Sequence, residues 1–434
     1  MKQLVYSVID KHRDEFLELA ELLFHTPELG YKEQQTKHII QTFLKNHDIE
    51  VEKEYFETGF QVTVGNAHKP HIGLIAELDA IPTIGHCCAN PLDNAAHSCG
   101  HSTQVVMMIA ALLTLKELID TNQLHGRVTL FFCPAEEFID IEYRKKLIAN
   151  KSIYAIGGKQ NMIIDHLFDN IDCCVHAHGM GKFKKYRFNV QSSLAGFVYK
   201  KYHFQGKASH AAMAPSEGIN ALSACNLFLQ AQALLRETFL DSDMNRVHGI
   251  ITNGGDVVNS IPSDVVYEAY IRSFSTKALM TLNEKLSNAA IHCAKAIGAQ
   301  CNIEEIKGYF PFNQDILLSN VVYQNMLSFV SPCEIQTDEK SIASGDIGDL
   351  SLFKPTIQFG YTGFKGTMHG NNLEVSEPNF VYSITAKVIA ASVIDLLANS
   401  KCLDDICSSF TPQMSIEDYK KYVTRSCYEI DDLN

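Results

Sequence analysis

Three apolar runs in this chain each stop on ionisable side chains, and that repeated pattern limits the architectures the chain can adopt. The first, His71-Ile72-Gly73-Leu74-Ile75-Ala76-Glu77-Leu78-Asp79, is nearly continuous in apolar content, as an inner strand covered on both faces requires. The second, Val128 to Cys133, runs into Pro134-Ala135-Glu136-Glu137, and the third, Ile171 to His176, into Ala177-His178-Gly179. Runs of this kind belong in an α/β sheet whose strands open at their carboxyl ends on a ligand crevice, so Asp79, Glu136, Glu137 and His178 are placed for function. Two adjacent acids at the end of a buried strand are costly unless each has a partner. An unpaired carboxylate in a low dielectric either shifts its pKa or binds a cation.

Ala95-Ala96-His97-Ser98-Cys99-Gly100-His101-Ser102 lies between a turn-rich loop and an apolar segment with helical spacing at Val105, Val106, Met108, Ile109, Leu112, Leu113 and Leu115. Cys99 and His101 therefore sit where a loop becomes a helix N-terminus. Unpaired backbone N–H groups and the helix dipole favour an anion there, such as a thiolate. A thiolate and an imidazole two residues apart suit a metal; a buried thiol beside a structural histidine is the alternative.

At 434 residues two domains are expected, and 46% hydrophobic content can fill both cores. Residues 1–25 read as an amphipathic helix, Glu33 to Asn46 as a second, and Val51 to Phe56 and Phe60 to Val64 as short strands. Near Ser192 the order changes to strand (Gly196 to Gln205), helix (Gly218 to Thr238), strand (Arg246 to Thr252), strand (Asp264 to Phe274), helix (Lys277 to Ile297) and strand (Gln300 to Ile306). That is the βαββαβ order of a ferredoxin-like unit. The expected plan is a catalytic domain over 1–191, an inserted domain over 192–307 and a return to the catalytic domain over 308–434. The last part holds a strand at Thr356 to Tyr361, a glycine turn at Thr367-Met368-His369-Gly370-Asn371, an apolar helix from Asn379 to Leu397, and a packed helix over 416–423 before a frayed end.

A net charge of -13 argues against a nucleic-acid surface, which needs clustered Lys and Arg. The first 25 residues carry charges throughout and lack the uninterrupted apolar core of a signal peptide, and nothing elsewhere is expected to span a membrane. A cytoplasmic protein acting on a small molecule is the default. Thirteen cysteines, an odd number, then read as reduced thiols. His86, Cys87, Cys88 and His97 offer no paired Cys-x-x-Cys spacing and are taken as loop and core residues, while His71, His125 and His166 read as structural or exposed.

Six pieces in order, Glu77-Leu78-Asp79-Ala80-Ile81-Pro82, His97-Ser98-Cys99-Gly100-His101-Ser102, Pro134-Ala135-Glu136-Glu137, Val175-His176-Ala177-His178, Gly206-Lys207-Ala208-Ser209-His210-Ala211-Ala212 and Thr367-Met368-His369, resemble the M20 metallopeptidase and amidohydrolase family, in its aminoacylase-like branch. The resemblance implies a zinc-peptidase-like catalytic domain, a mixed sheet flanked by helices, with an inserted ferredoxin-like lid and dimerisation domain. It implies two divalent ions, zinc or manganese with cobalt or nickel tolerated, liganded by Cys99, His101, Glu137, His178 and His369. Glu136 is then the general base acting on a water shared by the ions, and Asp79 buttresses Glu136 or a ligand histidine. His210 would stabilise the oxyanion in the partner subunit's site of a homodimer, and Asn259 and Arg272 match substrate-binding positions, Arg272 as a clamp on a substrate carboxylate.

Two divalent ions against one thiolate and one carboxylate leave a surplus of about two positive charges, which acidifies water and attracts an anionic substrate group. The implied activity is hydrolysis of the amide bond in small N-acyl amino acids or dipeptide-like conjugates. Two other readings remain, a cysteine amidase using Cys99 as nucleophile and a binding relative without turnover. Two departures stand out. Much of the branch has Asp-Gly-His after Cys-Gly-His, where this chain has Ser102-Thr103-Gln104. His176 would share a strand face with His178, and His178 is favoured as ligand on alignment alone.

Overall fold

A computed structural model describes residues 1–181, 185–425 and 427–428. They fall into two units. One comprises Met1–Ser193, Asn313–Lys340 and Asp349–Ile416; the other comprises, among the described residues, Leu194–Phe312, Ser341–Gly348, 417–425 and 427–428.

In chain order the principal strands are β1 (Val51–Tyr55), β2 (Gly59–Val64), β3 (His71–Glu77), β4 (Arg127–Cys133), β5 (Cys173–Gly179), β6 (Phe188–Val190), β7 (Gly196–Gln205), β8 (Arg246–Asn253), β9 (Asp264–Ser273), β10 (Gln300–Lys307), β11 (Ile335–Thr337) and β12 (Thr356–Tyr361). The helices are α1 (Lys2–Lys11), α2 (Arg13–Phe24), α3 (Gln34–Asn46), α4 (His101–Asp120), α5 (Ile141–Ala149), α6 (Gly158–Ile164), α7 (Ala221–Leu234), α8 (Thr276–Ala296), α9 (Ile316–Met326), α10 (Thr385–Ala398), α11 (Ser400–Ser409) and α12 (Ile416–Thr424).

The first unit is built on an eight-stranded mixed sheet in the order β1-β2-β4-β3-β5-β12-β6-β11. Its inner strands β4, β3, β5 and β12 run parallel. β3 is buried at every position, which is why its sequence shows no polar alternation. All four inner strands end on one edge of the sheet, and that edge carries the site.

α4 is apolar on nearly every face and lies inside the core, where Val106, Ile109 and Leu112 share a cluster with Leu74, Phe132, Ile389 and Val393. The expectation that no segment reaches membrane-spanning length is corrected here. His101–Asp120 and Asn379–Ala398 are both long and apolar enough, with 78% and 83% of their apolar windows buried inside the protein. Hydropathy alone does not separate a central core helix from a span.

The second unit has the expected ferredoxin-like plan. Its antiparallel strands lie in the order β8-β9-β7-β10, and β7 pairs with β9 from Gly196↔Ser273 to Gln205↔Asp264 without a slip. Ser275 and Asn220 cap α8 and α7 by accepting the Ala278 and Ser223 backbone N–H groups. Leu279, Leu282, Leu286 and Ala290 of α8 bury one stripe among Tyr202, Phe204, Ile271 and Ile303.

Several boundaries differ from expectation. The first helix breaks at His12 into α1 and α2, α10 is preceded by a π-turn over Asn379–Ile384, and α5, α6 and α9 carry no periodicity strong enough to predict them. Residues 308–434 do not all return to the first unit. Ser341–Gly348 joins the second because Ala195 N–H bonds the Ser341 and Ala343 carbonyls and Arg272 holds Ile342 O and Ser344 Oγ. α12 joins it from Glu417 because Tyr419 and Tyr422 stack near Phe310. The frayed end expected after this helix lies outside the described residues, apart from the pairing of residues 427–428 with β10.

Candidate metal centre

Each group at the sheet edge is set by a local device. β3 ends at Glu77, and Asp79 follows it fully buried. Gly100, in the left-handed region at φ 84°, turns the chain so that α4 starts at His101 with Cys99 two residues before it. β4 ends in a second reversal. Ala135 adopts φ 54°, a costly value for a residue with a Cβ, and this turn lets Glu136 and Glu137 leave the strand towards the same place.

Neighbours hold that turn rigidly. Ala135 N–H donates to Glu33 Oε1 at 2.9 Å, and Ala135 O accepts from Gly158 N–H at 3.1 Å and from Arg144 Nη1 at 3.4 Å. Glu33 is fully buried, and burial, then the charge on Asp79, raise its carboxyl to about 8. His369 is likewise held at φ 61°, with its N–H on Ser98 O at 2.8 Å.

These devices bring together Cys99, His101, Glu137, His178 and His369 as two triads that share the thiol. In each, Cys99–His101–His178 and Cys99–Glu137–His369, the donor atoms lie within 4.8 Å of one another. Cys99 Sγ is 3.7 Å from His178 Nε2 and 3.3 Å from His369 Nε2, and His369 Nε2 is 3.6 Å from Glu137 Oε1. Glu136 Oε2 stands 3.9 Å from His101 Nε2. Asp79 touches both triads from behind. Its carbonyl lies 2.9 Å from His101 Nδ1, its Oδ1 3.3 Å from the same nitrogen, and its Oδ2 accepts the Glu137 N–H at 2.9 Å.

The donor set fits divalent ions. His101 Nε2 and Glu137 Oε1 are buried polar atoms without a hydrogen-bond partner, which in so dry a site calls for a cation. Thiol, imidazole and carboxylate in triads of three leave the open position a catalytic ion needs. The thiolate expected at the helix N-terminus is not favoured by the protein alone, since burial, then the Glu137 carboxylate, push the Cys99 thiol well above its usual range. Burial in turn, then His101, hold His178 near 4, so its ring is neutral and can donate a lone pair.

Of the two candidate histidines on β5, His178 is the one beside Cys99. His176 is fully buried and directs Nε2 to Glu77 Oε1 at 3.2 Å instead. His86, Cys87 and Cys88 also cluster, but both His86 nitrogens are engaged, Nδ1 accepting from Cys88 N–H and Nε2 lying 3.2 Å from Leu373 O. That arrangement pins a loop to the segment that follows His369.

His210, Asn259 and Arg272 belong to the second unit. His210 is exposed, and its Nδ1 accepts the Met213 N–H at 3.1 Å and the Ala212 N–H at 3.3 Å, so its ring proton sits on Nε2. Asn259 is exposed, and its carbonyl accepts Ala211 N–H. Arg272 is half-buried, with its guanidinium 5.3 Å from the Phe197 ring centre.

The sequence reading missed the charges behind the centre. Glu77 is 1% exposed and accepts from fully buried Lys159 at 2.6 Å and from Gln104 Nε2 at 2.9 Å. Gln104 also accepts Glu77 N–H, and Thr103 reaches Tyr361 Oη, so this departure from the branch pattern serves the buried wall of the site. A carboxylate near the end of an otherwise apolar inner strand was the available signal. Its partner lies 82 residues away in a short helix with no motif.

The sequence pattern of Peptidase family M20/M25/M40 matches residues 73–385. An Arabidopsis thaliana IAA-amino acid hydrolase, ILR1-like 4, is 24% identical over 371 residues, 83% of this chain and 79% of that protein. The Homo sapiens Xaa-Arg dipeptidase is 26% identical over 441 residues, 95% and 92% of the two chains. The crystal structure of Bacillus subtilis YXEP, described as a dinuclear metal binding peptidase from the M20 family, shares the fold at a TM-score of 0.69 and 17% identity, covering 90% of this chain and 99% of that one.

Proposed function

The chain belongs to peptidase family M20/M25/M40 and is a metal-dependent hydrolase, and from that premise we propose that it cleaves the amide bond of N-acyl amino acids or dipeptide-like conjugates. The observation that carries this reading is the pair of donor triads sharing Cys99. Cys99, His101 and His178 would hold one divalent ion, and Cys99, Glu137 and His369 the other, with zinc or manganese suited to the mixed donor set. When bound, such ions supply Lewis acidity towards the scissile carbonyl and an acidified water.

The chain's own residues do the rest. Glu136 accepts the proton of the attacking water on its carboxylate and returns it to the leaving amine. Asp79 fixes His101 through Nδ1 and the Glu137 backbone through its N–H, so both point one way. Cys99 as the attacking nucleophile is disfavoured, because burial, and then the Glu137 carboxylate, raise its thiol well above its usual range.

His210 offers an exposed Nε2–H donor, suited to a developing oxyanion, where such a bond contributes about 3 kcal/mol. Its exposure within one chain, and the open edge of β8 with exposed Ile250 and Ile251 beside Val257 and Val258, support a homodimer formed through the second unit. Arg272 and Asn259 are the proposed contacts for the substrate carboxylate.

The test is hydrolysis by the metal-loaded full chain of N-acyl amino acids, aminobenzoyl-amino acids and dipeptides. Glu136→Gln is expected to keep both ions and lose at least about a hundredfold in rate. Undiminished turnover in that variant removes the base from Glu136, and failure on all three substrate classes with two ions bound overturns the substrate reading.

A further inference from the structure

The loop that precedes Ala95 carries two adjacent thiols that the hydrolytic site does not use. Cys87 is exposed and Cys88 half-buried, and their sulfurs lie 3.6 Å apart. This loop is tied to the chain on both sides of the metal centre. Thr83 Oγ1 lies 2.6 Å from Ser98 Oγ, one residue before Cys99. A Cβ on Gly85 would lie 3.4 Å from Asn371 Nδ2, two residues after His369. The buried His86 ring makes a further tie, accepting the Cys88 N–H on Nδ1 at 3.1 Å, which leaves the ring proton on Nε2 to donate to Leu373 O at 3.2 Å. Leu373 N–H in turn bonds the carbonyl of Gly370, the residue after His369, at 3.4 Å.

Adjacent Cα atoms stand about 3.8 Å apart, below the roughly 4.4–6.8 Å that a disulfide usually spans, so these two sulfurs join only if the peptide between them turns. The N–H of that peptide is the one His86 accepts. Closing the bond therefore takes away the partner that orients the His86 ring, and the tie to Leu373 slackens with it.

We propose that Cys87 and Cys88 are a redox modification site, closed to a vicinal disulfide by a peroxide, and that closure loosens the turn presenting His369. The coupling to His369 rests on the two-ion reading; the disulfide does not. Cys87 is the exposed thiol and meets the oxidant first. Its sulfur attacks one peroxide oxygen, the O–O bond breaks, and the products are a sulfenic acid and one water. Cys88 Sγ then displaces the sulfenic hydroxyl, which leaves with the Cys88 proton as a second water. The two thiols together give up two electrons, and one peroxide is reduced to two waters. An exposed disulfide of short span is of the class that thiols reduce readily, so the modification is reversible.

The experiment titrates the full chain, loaded with Zn²⁺, with hydrogen peroxide and follows peptide masses, ion release to a chelator and hydrolysis together. The peptide holding residues 87 and 88 is expected to lose the mass of a hydrogen pair. One ion is expected to be held at least about tenfold more weakly, with the hydrolytic rate falling alongside, and dithiothreitol is expected to reverse all three changes. Cys87→Ser and Cys88→Ser are each expected to keep wild-type ion affinity and to be unchanged by the same treatment. An unmodified pair at 87 and 88 while other cysteines oxidise overturns the site. A mapped disulfide with unchanged chelator competition overturns the coupling, and so does equal ion release from the serine variants, which assigns the effect to another thiol. A wild-type chain that binds fewer than two ions overturns the two-ion reading and the coupling with it, whereas the mass change still decides the disulfide.

Discussion

Buried ionisable side chains in this protein answer to different neighbours, and their charges follow. His71 begins β3, at the opposite end of the strand from the metal centre, with Nε2 2.8 Å from Thr129 Oγ1 and its backbone N–H on Asp172. Burial, then the Arg127 guanidinium, push its ring down to about 4, against the pull of Asp172 and Glu52. Between about 4 and the ordinary value of 6.5 the unfolded chain binds a proton there that the folded chain does not. Folding stability therefore falls as the pH drops through that window and is recovered above it. His71→Gln is expected to be less acid-sensitive than the wild type between about pH 7 and about pH 4.5, by on the order of 1 kcal/mol or more, in urea midpoints measured at both values. An unchanged acid loss would mean that His71 is not the group titrating.

Among the elements, the junction of β4 with α6 is the most tightly specified. A Cβ on Gly158 would lie 1.7 Å from the Pro134 carbonyl oxygen, so α6 starts against the end of β4 only because residue 158 has none. Gly158→Ala is expected to destabilise the protein by about 1–3 kcal/mol. It should also move the Glu136–Glu137 turn, so that activity falls by more than the loss of folded protein explains; circular dichroism melts alongside rates per folded molecule check this.

The main strands could be read from sequence because a strand covered on both faces must be apolar throughout, and β7, β9 and α8 because alternation and helical spacing are intact in them. The short helices α5 and α6 could not. Lys159, Gln160 and Asn161 are buried polar residues whose partners are far away in the chain or in adjoining loops, which no local period encodes. The same reason hid Glu77 and Lys159, while the donors facing the crevice stood out because they follow strand ends. Residues 341–348 and 417–425 fall in the second unit rather than the first because their membership depends on pairing with Ala195, Arg272 and Phe310.

At the scale of the whole molecule, the proposed dimer makes a distinctive prediction. His210→Ala and Glu136→Gln chains are each expected to be nearly inactive. Mixed and allowed to exchange, they should regain up to about a quarter of wild-type activity, because one site in each hybrid then combines an intact base with an intact His210 from its partner. No recovery in hybrids verified by native mass spectrometry would assign His210 to its own chain.

The five donors of the two triads span residues 99 to 369. A chain growing from its amino end has four of them well before the fifth is made, and the positive-φ turn that presents His369 bonds back to Ser98 only once both exist. The proposed centre would thus close late in synthesis. If these five residues are the ligands as proposed, ion capture at full strength would report that translation has passed the glycine turn, and a product truncated before it would offer only a thiol, two imidazoles and a carboxylate.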